Sequence, residues 1–250
     1  MLADMSQGKR TTATVRRLDG TYTASFVPPM LSLAGAIPDV MKVVYGTFVE
    51  RYPGIKPDAF RAINTNVLAE VGVSINLLDN RIEILLRVDQ IGVRAVNLRN
   101  DQEMRFVVDC ILITHSAARK LAPAITIGST IINVSTWIGV DGGAGQVEKI
   151  LSAASRPSHP NLLRGASLGA KSVAFLPRVL LGNDQEGWKL MVAAEKSIIP
   201  ETDMFVVRQY VFGPPMRYSD FEQQFAFIET STNLISEWLG LNIVEADATG

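Results

Sequence analysis

The chain has 250 residues, 47% of them hydrophobic and 20% charged, which is enough apolar material for a sizeable core and too much for a disordered chain. Lysine and arginine number 24 against 25 acidic residues, a formal charge of −1, so nothing global argues for nucleic acid or an anionic membrane surface. A single cysteine excludes an internal disulfide and a cysteine-based metal cluster.

Met1 to Thr12 is polar and lacks the apolar core of a signal peptide. Thr12 to Val27 carries Val15, Leu18, Tyr22, Ala24 and Phe26 around Asp19-Gly20, which predicts a hairpin turning on that dipeptide. Lys9, Arg10, Arg16 and Arg17 read either as a phosphate-binding arm or as solvated charge on an edge hairpin, and the charge balance favours the second. Pro38 to Tyr52 is predicted helical, with Val40, Val44 and Phe48 on one face and Pro53-Gly54 closing it. Pro57 to Val67 reads as a shorter helix with Phe60 and Ile63 inward, and Val71 to Leu77 as a strand.

Arg81 to Val88 alternates Ile82, Ile84, Leu86 and Val88 against Glu83 and Arg87, and Ile91, Val93 and Ala95 repeat the alternation, so two antiparallel strands follow. At Asn100 the period becomes helical: Phe106, Cys110, Ile113, Ala117 and Leu121 recur, with Asn100 as cap and Glu103 placed to reach back. Pro123 stops this helix, and a β-branched run from Ile125 to Gly139 predicts a strand. Gln146 to Ala154 reads as a helix, Ser155 to Asn161 as a boundary or loop, and Val173 to Leu181 as a strand. Trp188, Leu190 and Val192 share a face, Ile198-Ile199-Pro200 turns the chain, and Met204 to Phe212 is a strand apolar on both faces except at Arg208 and Gln209. Ser219 and Glu222 form a predicted capping box for a helix whose stripe is Phe221, Phe225, Ile228, Thr232, Ile235 and Leu239, ended by Gly240.

An offset of 115 residues carries Phe106 to Phe221, Cys110 to Phe225 and Ile113 to Ile228. The chain reads as two copies of a helix, three-strand, helix, strand unit; the alternative is that any two amphipathic helices slide into register. The expected class is α+β, a largely antiparallel sheet covered by helices. The organisation is a tail and hairpin in residues 1–30, one α+β unit in 31–140 and a second in 141–250, packed as one body. Apolar runs are interrupted well before a membrane-spanning length, so a soluble, cytoplasmic chain is expected.

Candidate chemistry is sparse. Gly142, Gly143 and Gly145 precede a helix and could hold an anion with backbone amides, although the stretch matches neither phosphate-loop signature and a structural connector needs the same glycines. Arg156 and His159 lie in a proline-bounded loop that could join such a ligand site. Met216, Arg217 and Tyr218 are residue types favoured at interfaces, in what is otherwise an ordinary strand-to-helix connector. The only histidines are His115 and His159, and Cys110 and His115, five apart on one helix, face different ways. No carboxylates are spaced as a metal or acid/base pair, so no catalytic residue, metal or cofactor is expected.

The closing pattern, Gly187-Trp188-Lys-Leu-Met-Val192, Met204-Phe-Val-Val207, Tyr218-Ser-Asp-Phe221 and Trp238-Leu-Gly-Leu241, resembles a sporadically distributed bacterial family of uncharacterised proteins of similar length. Asn80-Arg-Ile-Glu-Ile84 and Asp89-Gln-Ile91 echo it more faintly. The family's scattered occurrence implies a setting in mobile elements or phage defence, and it carries over no catalytic residue. Three readings stand: a non-catalytic protein-binding or assembly protein, partnered by another protein or by itself; a small-ligand or nucleotide sensor; and an enzyme. The first fits the missing chemistry and the neutral charge. Neither nucleic acid nor membrane is expected as a partner.

Overall fold

The computed structural model describes residues 10–155, 177–214 and 220–244. Its centre is a pair of long antiparallel strands, β1 (Thr11–Val27) and β6 (Thr126–Val140), paired from Ala13↔Val140 to Val27↔Thr126. Asp19-Gly20 is therefore not a hairpin turn: β1 runs through it for 17 residues, and the dipeptide sits where the ladder with β5 (Gln90–Leu98) shifts register. The local turn signal loses to long-range pairing. The Asp19 carboxylate is already engaged, accepting from Arg17 Nε at 2.9 Å and from the amide of Asn97 at 2.6 Å. Asn97 itself takes the left-handed conformation, with φ 56°, that such a bulge requires and that asparagine tolerates.

The remaining elements hang on these two strands. After β1 come α1 (Ile37–Arg51), the short edge strand β2 (Phe60–Ile63), the meander β3 (Gly72–Leu77), β4 (Ile82–Arg87) and β5, and then α2 (Asp101–Leu121). After β6 come α3 (Ala144–Ala154), the meander β7 (Arg178–Asn183), β8 (Trp188–Lys196) and β9 (Asp203–Phe212), and then α4 (Phe221–Leu239). β10 (Leu241–Val244) closes the described chain by pairing in parallel with the first residues of β1. The sheet order is β2-β3-β4-β5-β1-β6-β9-β8-β7, so each meander lies against its own long strand, on opposite sides of the central pair. The class is α+β and almost wholly antiparallel. The repeat runs strand, helix, three strands, helix, one strand earlier in phase than the sequence pattern implies. The same offset of 115 that joins the two long helices carries Thr11, the first residue of β1, to Thr126, the first of β6.

One register row across seven strands, Ile75, Ile84, Val93, Tyr22, Ile132, Tyr210 and Leu190, is buried throughout. The adjacent row, Asn76, Glu83, Arg94, Thr21, Asn133, Gln209 and Met191, faces the other way and is partly or fully exposed. Period-two alternation thus places all four helices of the described residues on one face and leaves the other open. One buried cluster spans both units.

Pro57 to Val67 is not a helix. A single 3-10 turn (Pro57–Ala59) gives way to β2, because Phe60 fills the space under α1, edge-on to Tyr45 and Phe48 at 5.2 and 5.8 Å. The α2 cap follows the pattern, with Asn100 Oδ1 accepting from the Glu103 amide at 2.9 Å. Glu103 reaches back to the Arg99 amide rather than to Asn100, and it also accepts twice from Arg81 at 2.9 and 2.6 Å. At α4 the cap is Asp220, whose carboxylate accepts from the Gln223 amide at 2.8 Å. The Ser219–Glu222 box is thereby displaced by one residue, and Ser219 lies outside the described residues. Gly240 ends α4 at φ 65°, as its position implies. Asp220→Ala should lower unfolding stability by about 1 kcal/mol in denaturant titration, while Glu222→Ala should leave the midpoint nearly unchanged; the reverse order would restore the serine box.

Candidate functional site

α2 packs on α1 and α4 packs on α3, but no comparable contact joins α2 to α4. The two long helices flank the central strands without closing over them. What remains is a cavity of about 430 Å³, floored by Leu18, Ile132 and Val134 and walled by Met104 and Val107 of α2 and by Phe225 and Ile228 of α4. Its lining is mostly apolar, with exposed Asp101 and Glu229 at the rim. Packed interiors leave few voids larger than a water molecule, so a space of this size is a feature of the fold rather than a packing flaw.

One buried charged side chain lines it. Arg208 alternates with Val206 and Tyr210 on the helix-covered face of β9 and is only 7% exposed. Nη1 donates to Thr232 Oγ1 and Nη2 to Thr136 Oγ1, both at 2.8 Å. Nε has no acceptor, and Arg208 takes part in none of the ion pairs formed among the described residues. Burial pulls the guanidinium below its ordinary value, and Tyr210 beside it works the other way. The sequence reading passed over Arg208. Its signal was its parity: a lone cation two residues from Val206 and from Tyr210, on the inward side of an apolar strand.

On the far side of Phe221 lies a second, more polar hollow, lined by Tyr22, His115, Arg119, Thr130 and Gln224. Tyr22 Oη and His115 Nε2 are 2.6 Å apart, and Phe221 packs edge-on to the tyrosine ring at 5.1 Å. Burial, and then the charge of Arg119, pull His115 down to about 4, so near neutral pH it is uncharged and shares a hydrogen bond with the phenol. Burial likewise raises the Tyr22 hydroxyl. Cys110 is fully buried and pushed up to about 12, chiefly by burial and then by Asp109. These groups are held in their inert forms.

The open face differs between the two units. Around β3 to β5 it carries Asn76, Glu83, Arg87 and Arg94; around β6 to β9 it carries Ile131, Val207, Val211, Met191 and Leu180, with Ile131 40% and Leu180 71% exposed. The two-faced apolar pattern of Met204 to Phe212 resolves accordingly: Met204, Val206, Tyr210 and Phe212 are buried under helices, and Phe205, Val207 and Val211 are mostly but not fully buried on the open side. At one end Trp137 and Phe205 form a pair with ring centroids 4.4 Å apart. Trp137 Nε1 donates to the buried Asp203 carboxylate at 2.9 Å, which Arg16 also approaches at 3.2 Å. The β8–β9 turn at this same end projects Ile198 and Ile199, 87% and 78% exposed.

Gly142 and Gly143, with φ 97° and 76°, turn the chain from β6 into α3, and Gly143 is the N-cap. Gly145 falls in the first turn of α3, where Gln146 ties the helix to Thr11 at 2.8 Å. The turn's left-handed backbone accounts for Gly142 and Gly143. Arg156 and His159, and Met216, Arg217 and Tyr218, lie outside the described residues. Of the arm cations, Arg10 pairs with Glu237, Arg16 with Asp203 and Arg17 with Asp19, and Lys9 lies outside the described residues. Among the described residues no three of His, Cys, Asp and Glu converge as metal ligands, and no helix is long and apolar enough to cross a membrane. No protein-family model matches the chain, and no curated protein matches it significantly.

His115 makes a pH prediction. Its folded value lies below the unfolded one, so the unfolded chain binds more protons as the medium acidifies; the contribution is present above about 6.5 and is lost as pH falls towards about 4. Urea melts of the parent chain should therefore lose stability across that window, and His115→Gln should flatten this part of the profile. An unchanged profile in the variant would show that His115 titrates normally.

Proposed function

We propose that the chain is a non-catalytic protein-binding protein that self-associates through the second-unit half of its open sheet face. The observation that carries the reading is the apolar surface of Ile131, Val207, Val211 and Leu180, continued by the Trp137–Phe205 pair and the Ile198-Ile199 tip. Exposed aliphatic and aromatic side chains gathered on one sheet face are a common mark of an interface, and aromatic side chains are favoured anchors. A second copy is the favoured occupant because the rim is mixed in sign. Arg178 shares this face with Glu195, so a two-fold contact can set the cation of one copy against the carboxylate of the other.

The inert states of Cys110 and His115 support a role without catalysis. Nucleic acid is disfavoured as a partner, since Arg94 lies directly opposite Glu83 and Lys189 pairs with Asp184 at 3.3 Å, which leaves little uncompensated charge to displace counterions. A single buried cysteine suits a reducing, cytoplasmic compartment. Assembly of this kind also fits the accessory role in defence that the family resemblance implies.

Light scattering on the purified chain should give a dimer mass. Ile131→Glu, and separately Ile198→Asp with Ile199→Asp, should reduce it to the monomer with little change in melting temperature. A parent chain that stays monomeric over a wide concentration range would end the self-association reading.

A further inference from the structure

The cavity between α2 and α4 is on the opposite side of the sheet from the proposed interface and calls for its own account. A buried guanidinium costs several kcal/mol unless a partner compensates it. Arg208 has two threonine hydroxyls and no carboxylate, with Nε unmatched, and it lines an apolar space of about 430 Å³. That volume falls within the range of roughly 300–1,000 Å³ typical of small-molecule sites, and an apolar lining with a few convergent polar groups is their usual character. Walls of Leu, Ile, Val and Phe do not hold water well, so solvent is a poor permanent partner for Nε.

We propose that this cavity binds a small monocarboxylic acid with an apolar body, its carboxylate on Arg208 and its body between Met104, Val107, Phe225 and Ile228. The carboxylate would accept from the guanidinium, whose plane Thr136 and Thr232 hold in place through Nη2 and Nη1. A guanidinium matches a carboxylate as a planar, two-point partner. The charge balance selects one negative charge rather than two. A single cation stands inside, while Asp101 and Glu229 at the rim repel a phosphate ester more strongly than a monoanion. The site draws one wall from each unit, so its occupant would bridge the two long helices beyond the point where His115 and Phe221 stack. Binding would therefore couple the halves of the molecule as well as fill a void.

The test compares octanoate and decanoate, below their micellar concentrations, with octanol and decanol, by thermal melting and calorimetry on the full chain. The acids should raise the melting temperature by roughly 5–10 °C at about a hundredfold excess over Kd, and the alcohols far less. Arg208→Met should remove the advantage of acid over alcohol, Arg208→Lys should keep part of it, and Ile228→Trp, which fills the cavity, should suppress both. Equal shifts from acid and alcohol, an acid effect that survives Arg208→Met, or no shift with either acid would overturn the proposal. If Arg208→Met fails to fold, the acid–alcohol difference in the parent chain and its loss in Ile228→Trp decide the question.

Discussion

The antiparallel pairing of β1 with β6 is the interaction on which the rest of the molecule depends. Each strand is long enough to bind a neighbour on both edges, β5 and β10 beside β1 and β9 beside β6. Each also opens a unit whose three-strand meander returns to its flank. Because the two are antiparallel, the units add in opposite directions from the centre, and two modest sheets become a single one with no internal edge. The helices follow as a consequence. Alternation along every strand points the large aliphatic side chains one way, and only that face needs a cover.

The same arrangement produces both candidate sites. Each long helix packs on the other helix of its own unit, and although His115 and Phe221 meet over Tyr22, the rest of the midline is left open between them. The cavity is this seam. β9 borders it and supplies Arg208 from above the sheet, while the neighbouring residues Val207 and Gln209 point to the open side. One strand thus serves a buried polar site on one face and an exposed apolar surface on the other. The two units differ on the open face in particular: the second adds aliphatic and aromatic side chains, Ile131, Leu180, Trp137 and Phe205 among them, where the first carries Glu83, Arg87 and Arg94.

Much of the fold was legible in the sequence because it was written in periods. The alternation of Ile82 to Val88, the long helix ending at Leu121 and the Gly240 stop all hold, and so does the equivalence of the two long helices. The buried side of the first helix, however, is turned from Phe106, Ile113 and Leu121 towards Val107, Ile111, Thr114 and Ala118. The failures share a cause. Asp19-Gly20 and Pro57 to Val67 carry strong local signals, and both yield to partners distant in the chain, β6 in the first case and β3 with the α1 aromatics in the second. The α4 cap moved by one residue because Asp220 and Ser219 are both good caps and only the geometry chooses between them. The cavity was hidden for a different reason, since a gap between two helices is a property of packing and leaves no mark on either helix's own pattern. Arg208 was the one visible trace of it.

The central pairing can be tested directly by amide hydrogen exchange resolved to single residues. Continuous pairing of β1 predicts that the amides from Thr21 to Phe26 and those of Ile131 to Val134 exchange among the slowest in the molecule, at rates set by global unfolding, with no fast-exchanging turn at Asp19-Gly20. Rapid exchange confined to residues 18–21, with protection on either side, would mean that β1 is a hairpin after all. The sheet could not then be continuous through its centre, and the seam between the two units would have no floor.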